Sequence, residues 1–297
     1  MANARALDKR RKSIRNIRKI TRTMELIATA RYKKAMDRAA AATAYTDQIT
    51  KIVSRLAAAG LDVKHPLLEQ REKTNSARVL VLASNRGLCG GYNASILRTA
   101  VPQINELKSQ ISKVAVDVSG KRGINGMKFR GIRTEAGYLQ FEDQPAYAEV
   151  EKIADGYLNQ YITGEIDRLD VVYTRFISTS KQIATVETLL PLGSLADDSA
   201  GSATGAGEAG SAEYEFLPSA ESILEEVVPT SFKVKLFKCF LDAAVSEQVA
   251  RMIAMKGATE SAGDMIKQLS MTYNRARQSQ ITGEIMEIIG GVEALEG

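Results

Sequence analysis

The chain has 297 residues, of which 44% are apolar and 25% charged, a balance that supports a folded core and excludes a disordered tail. No apolar run approaches the ~20 residues of a membrane span, and the N-terminus MANARALDKRRKSIRNIRKI lacks the apolar stretch of a secretory signal. The net charge of +5 conceals a division: residues 1–38 hold 13 Lys/Arg against 3 Asp/Glu and the remainder 27 against 32, so the basic character belongs to the first segment and points to an acidic partner.

Residues 3–59 contain neither proline nor glycine. Every seventh residue from Ile14 is uncharged: Ile14, Thr21, Ala28, Ala35, Ala42, Ile49, Leu56. The row three residues on (Ile17, Met24, Arg31, Arg38, Tyr45, Ile52, Ala59) is mostly apolar. This spacing predicts a heptad seam on one long helix, which at ~1.5 Å per residue spans roughly 80–85 Å. Alanines in its middle let a partner helix approach closely, and Gly60 supplies a stop. The single histidine, His65 beside Pro66, reads as a solvated loop side chain.

The centre changes character. Ala77–Ala83 and Lys113–Ser119 read as buried strands, with a glycine-rich turn and a helix over Ala94–Gln110 between them. A short helix over 120–128 and a longer one over Tyr147–Thr163 follow. Asp170–Ile177 and Gln182–Leu190 form a hairpin across Ser178–Lys181. The alternation predicts an α/β layer with a mainly parallel sheet and one antiparallel edge. In Gly193–Glu213, 15 of 21 residues are Gly, Ala or Ser, the composition of a flexible surface loop.

The last part returns to the first pattern. Val245, Met252, Thr259, Ile266 and Tyr273 form one row, with Met255, Ala262, Leu269 and Ala276 as companions. The row then slips to Ile281, Ile285, Ile288 and Val292, one way for a long helix to absorb the mismatch between 3.5 and 3.6 residues per turn. Gly290 and Gly291 mark its expected end. Two long heptad segments at opposite ends of one chain pair with each other. A compact domain between them returns the chain, so the pair is antiparallel. The resulting division is 1–60 (N-terminal coiled-coil helix), 77–192 (α/β domain), 193–213 (flexible loop) and 219–297 (C-terminal coiled-coil helix).

Few motifs point to chemistry. Cys89 and Cys239 are far apart and lack CxxC spacing, which argues against a zinc site or disulfide framework. Ser84–Asn93 (SNRGLCGGYN) follows a strand, where backbone N–H groups can hold phosphate. It matches neither GxxxxGK[ST] nor GxGxxG, so a tight turn bringing two backbones together is the stronger reading. The basic run Lys9–Arg22 fits nucleic acid, an acidic protein surface or a solvated coiled-coil exterior. With no HExxH, no GxSxG and no paired carboxylates in a pocket context, the chain reads as a mechanical or scaffolding part that needs no cofactor or metal.

Four stretches carry a family resemblance: Ile20–Arg31 (ITRTMELIATAR), Ser84–Asn93, Ser246–Gly257 (SEQVARMIAMKG) and Leu269–Gly291 (LSMTYNRARQSQITGEIMEIIGG). In order and in coverage they resemble the gamma subunit of the F-type ATP synthase. The resemblance implies an antiparallel coiled coil of both termini plus a Rossmann-like α/β domain, a non-catalytic rotor of the F1 central stalk. It implies the alpha and beta subunits, the epsilon subunit and the c ring of Fo as partners, with no nucleic acid and no insertion into the membrane. It also implies a peripheral location on the cytoplasmic face of the bacterial inner membrane, and for the basic run it favours an acidic protein surface. Met24 matches the methionine that lies against the moving part of beta, and Arg277, Gln278 and Thr282 the positions that meet the beta catch loop. Arg31, Lys33 and Lys34 are candidates for polar contacts to the alpha–beta ring, and Tyr214 and Glu215, in YEFL, for the c-ring contact. Some members have Glu before the following proline, where this chain has Leu217.

Overall fold

The computed structural model describes residues 4–58, 66–67, 71, 74–141, 144–192 and 220–296. The chain divides into two compact units, one made of residues 1–29 with 251–297, the other of residues 30–250. The long helices α1 (Ala4–Ala58) and α5 (Ala220–Glu296) contribute to both. Gly60, His65, the 193–213 loop, Tyr214 and Glu215 lie outside the described residues.

In the larger unit the chain runs β1 (Ser76–Leu82), α2 (Tyr92–Gln110), β2 (Lys113–Ser119), α3 (Lys121–Phe129), β3 (Gly137–Tyr138), α4 (Tyr147–Ile162), β4 (Arg168–Ser178) and β5 (Lys181–Leu190). The strands form one sheet in the order β3-β2-β1-β4-β5. β1 pairs in parallel with β2 and β4, β3 extends the parallel part, and β5 pairs antiparallel with β4 at the edge. The central strands read as continuous apolar runs because both faces are covered. On one face Val79, Val81, Val116 and Val118 pack under Ile96, Ala100, Ile104 and Leu107 of α2. On the other, Leu80, Leu169 and Val171 meet Val150, Ala154 and Tyr161 of α4 and Phe232 and Phe240 of α5. Two carboxylates are buried inside the sheet and fully bonded. Asp117 accepts from Arg78, Tyr157 and the Ala136 N–H, and Asp170 from Gln103, Arg168 and Thr188. Each ties neighbouring elements together at a cost that an unpaired carboxylate could not meet.

Within this unit Ala35 and Ala39 of α1 pack on Leu241, Val245 and Val249 of α5. The seam differs from the predicted pair of rows. Ala35 and Ile49 are buried as expected, but their companions are Tyr32, Ala39 and Thr46, four residues on from the first row. Arg38 and Tyr45, of the predicted companion row, are exposed. The buried stripe alternates steps of four and three, so adding three instead of four places the second row on the helix flank.

In the smaller unit the two helices are antiparallel. Thr21 meets Thr259, the hydroxyls 2.8 Å apart, while earlier in α1 the Arg11 guanidinium lies 4.7 Å over the ring of Tyr273, later in α5. Thr21, Ala28, Met255 and Ala262 are buried. Small residues dominate, so the helices come close while removing little apolar area from water. α5 does not stop at Gly290 and Gly291 but runs to Glu296. Each glycine weakens a helix by about 1 kcal/mol without removing a backbone donor, and no proline follows to enforce a break.

Candidate partner-binding surfaces

The first surface is cationic. In the smaller unit a cavity of about 1120 Å³ is lined by Lys12, Arg15, Arg18, Lys19 and Arg22 of α1, with Thr259 and Ile266 of α5. Helical spacing gathers the cations on one side. Two are neutralised locally: Lys12 pairs with Asp8 at 2.9 Å and Arg22 with Glu25 at 2.8 Å. Arg15, Arg18 and Lys19 form no ion pair among the described residues. A glycine on α5 opens the space: a Cβ at Gly263 would sit 3.8 Å from Nε of Arg18. The result is a concave positive face that draws acidic groups from a distance.

The second surface is apolar. Every described side chain from Arg277 to Leu295 is exposed. Ile281, Ile285, Ile288 and Val292 continue the predicted seam, yet no helix among the described residues covers them and Ile288 is 67% exposed. Ile17, Ile20, Leu26 and Ile27 of α1 are likewise exposed. Large apolar groups left in water on successive helical turns mark an interaction surface. Arg277, Gln278 and Thr282 stand on the α5 part of it, Thr282 donating to the Gln278 carbonyl at 3.0 Å. Met24 is half-buried, consistent with both a seam and a contact role. In the larger unit Arg31 is half-buried and Lys33 and Lys34 are exposed.

The glycine-rich turn is a third candidate, placed by β1 at the carboxyl end of the sheet where ligands of doubly wound folds sit. Here its polar groups are turned inward. The Ser84 N–H donates to Asn93 Oδ1 at 3.1 Å and the Ser84 hydroxyl to the Arg86 carbonyl at 2.6 Å. Asn85 donates to the Leu139 and Phe141 carbonyls and accepts from the Lys121 N–H. The close backbone approach comes from a glycine the motif does not contain. Gly120 has φ +99°, and a Cβ there would lie 2.1 Å from the Ala83 oxygen. The turn locks the β1 and β2 ends together, as the tight-turn reading anticipated. Cys89 and Cys239 are both buried and free.

Asp242 carries no signal in the sequence pattern and emerges only from the packing. It is 7% exposed on α5 and makes no hydrogen bond or ion pair among the described residues. Burial raises its carboxyl to about 6, with Glu187 adding to the rise and Lys238 and Arg175 opposing it. The contact of α5 with the β4–β5 hairpin reveals it, since an acid within an apolar helix reads as an exposed position.

No helix among the described residues is long and apolar enough to cross a membrane. Residues 3–295 match the family described as ATP synthase. A Rhodopirellula baltica protein named ATP synthase gamma chain is 84% identical over 297 residues, covering all of both chains. The gamma chain of Leptospira biflexa is 37% identical over 295 residues, covering 99% of this chain and all of its own. Among solved structures, a chain of the Euglena gracilis mitochondrial ATP synthase (OSCP/F1/c-ring, rotational state 3) has the same fold, with a TM-score of 0.65. It is 20% identical and covers 98% of this chain and 94% of its own. A chain of the Tetrahymena thermophila central stalk and c ring gives a TM-score of 0.56 at 18% identity, covering 80% of this chain and 99% of its own. A terminal helix pair, a parallel sheet with one antiparallel edge, and identity along the full length converge, and the chain belongs to the ATP synthase gamma chain family.

Proposed function

We propose that this chain is the rotating central-stalk subunit of an F1Fo ATP synthase, coupling proton flow through the c ring to ATP synthesis by the alpha and beta subunits. The carrying observation is the slim antiparallel pair of the smaller unit, which leaves a positive cavity and a long apolar face uncovered. A shaft turning inside a ring needs both features. Small seam residues keep it narrow, and an exterior that is apolar in one direction and cationic in another contacts the ring unequally.

The mechanism is conformational coupling. Each beta subunit has states of different nucleotide affinity, and only a differential interaction can move such a population. Turning an asymmetric shaft changes which beta subunit it favours, and ATP hydrolysis drives the shaft in reverse. Met24, Arg277, Gln278 and Thr282 serve as beta contacts, Arg31, Lys33 and Lys34 as polar contacts to the alpha–beta ring. Residues 1–60 and 219–297 form the shaft, 77–192 the foot met by epsilon and the c ring, Tyr214 and Glu215 part of the c-ring contact, and 193–213 a dispensable loop. The chain itself is non-catalytic and peripheral, on the cytoplasmic face of the bacterial inner membrane. The basic-helix reading for nucleic acid finds no support, since the relatives match along the whole chain and not the basic segment alone. Co-expression with alpha and beta subunits tests the proposal: the three co-purify with ATPase activity, and failure to assemble would refute it.

A further inference from the structure

The outer edge of the sheet in the larger unit is incompletely closed. β3 pairs with only the last two residues of β2, Val118 with Gly137 and Ser119 with Tyr138. Before that point the chain is out of step. A regular ladder would bring the Ala136 N–H to the Val116 carbonyl. Instead the Glu135 N–H occupies that carbonyl at 2.8 Å, and the Ala136 N–H donates to the Asp117 side chain at 3.1 Å. One residue too many lies opposite β2, which is a bulge, and before Glu135 no backbone hydrogen bond joins Arg133 or Thr134 to β2 among the described residues. Between them is a cavity of about 390 Å³ lined by Lys108, Val114, Val116, Arg133, Thr134 and Glu135.

What faces this cavity is mostly donors. Backbone groups alternate sides along a strand, and Lys113 donates to Asn75 on the β1 side, so Val114 and Val116 point theirs outward. Val116 is 2% exposed, and its N–H has no acceptor among the described residues. A buried backbone donor without a partner is rare and calls for one. The Lys108 and Arg133 side chains carry no ion pair or hydrogen bond among the described residues, and the Thr134 hydroxyl adds a further donor. The one carboxylate of the lining, Glu135, is directed to Arg78 at 3.7 Å.

We propose that this cavity is a binding site for a small oxyanion, a phosphate or carboxylate group. The Val116 N–H and Thr134 hydroxyl orient the anion, and Arg133 and Lys108 supply its countercharge. Arg133 suits a planar two-oxygen contact and Lys108 a point charge. A bound oxyanion bridges Arg133 and Thr134 to β2 and completes the sheet edge where the ladder fails.

The test is titration of the full-length chain with inorganic phosphate and, separately, with succinate, followed through the amide resonances of Val116 and Thr134. Saturable shifts at these two amides with at least one probe are expected, and the tighter-binding probe identifies the phosphate or the carboxylate source. Arg133→Gln weakens that binding by about tenfold, the loss of one charge-assisted hydrogen bond, and Lys108→Gln acts in the same direction. Both residues are exposed, so the variants fold. Amide shifts that do not saturate with either probe, or saturable shifts unchanged in both variants, would overturn the proposal.

Discussion

Replacing Asp242 by asparagine removes a charge that the fold houses badly. The carboxyl is held at about 6 in the folded chain, against about 3.9 for an unperturbed aspartate. Below pH ~4 both states carry the proton and the group imposes no cost. As pH rises from ~4 the unfolded chain releases its proton first, so stability falls, and the loss is complete once pH passes the folded value near 6. Two units correspond to roughly 3 kcal/mol at most, because the asparagine amide must also be accommodated beside Glu187 and Arg175. Asp242→Asn is therefore expected to stabilise the packing of α5 on the β4–β5 hairpin by up to about 3 kcal/mol at pH 8, and by a few tenths at pH 4. Urea unfolding followed by tyrosine fluorescence measures it, with hydrogen exchange near Ser246 (which bonds the Thr174 carbonyl at 3.1 Å) locating the gain. A variant less stable than the parent at pH 8, or a difference independent of pH, would refute the reasoning.

Met24→Lys lowers protons pumped per ATP hydrolysed in assembled complexes with little change in melting temperature, because it adds charge at a half-buried position, the proposed beta contact, beside a basic stretch. Gly120→Ala costs on the order of 3–5 kcal/mol, since its Cβ would meet the Ala83 oxygen at 2.1 Å. Gly131→Ala, at φ +73° but with open space around it, costs only about 1–2 kcal/mol; thermal melts compare the two. Ile285→Ser with Ile288→Ser leaves the melting temperature of the lone chain within a degree or two, because both side chains are at least half exposed, yet reduces torque in the assembled motor. Deleting Ser199–Ala212 leaves co-purification with the alpha, beta and c subunits intact.

The elements with strong patterns are legible in the sequence. β1, β2, β4 and β5 are β-branched runs bounded by turn residues, and their order implies the parallel sheet with one antiparallel edge. β3 is not legible, because two residues have no period. The first seam row stands out because alanines and isoleucines occupy it. Its companion does not, because in the smaller unit that row contains Arg11 and Glu25, which are half-buried there. A hydrophobic pattern cannot flag charged residues whose stems cover the seam while their heads pair with Asp8 and Arg22. Ile281–Val292 carries the right pattern for burial but has no partner among the described residues, so periodicity finds a face and not its occupant. The proposal of Met24, Arg277, Gln278 and Thr282 as contact residues comes from resemblance alone. Burial separates a half-buried Met24 from the exposed Arg277, Gln278 and Thr282, which composition could not do.

Rotation of this chain is tested most directly by fixing the alpha–beta ring to a surface, tagging the larger unit of the chain with a rotation probe at an exposed position such as Lys181, and adding ATP. Sustained rotation in one direction, at a rate that follows ATP concentration, is the expected result. ATP hydrolysis by the assembled complex with the probe stationary, or moving without a preferred direction, would contradict the rotor assignment.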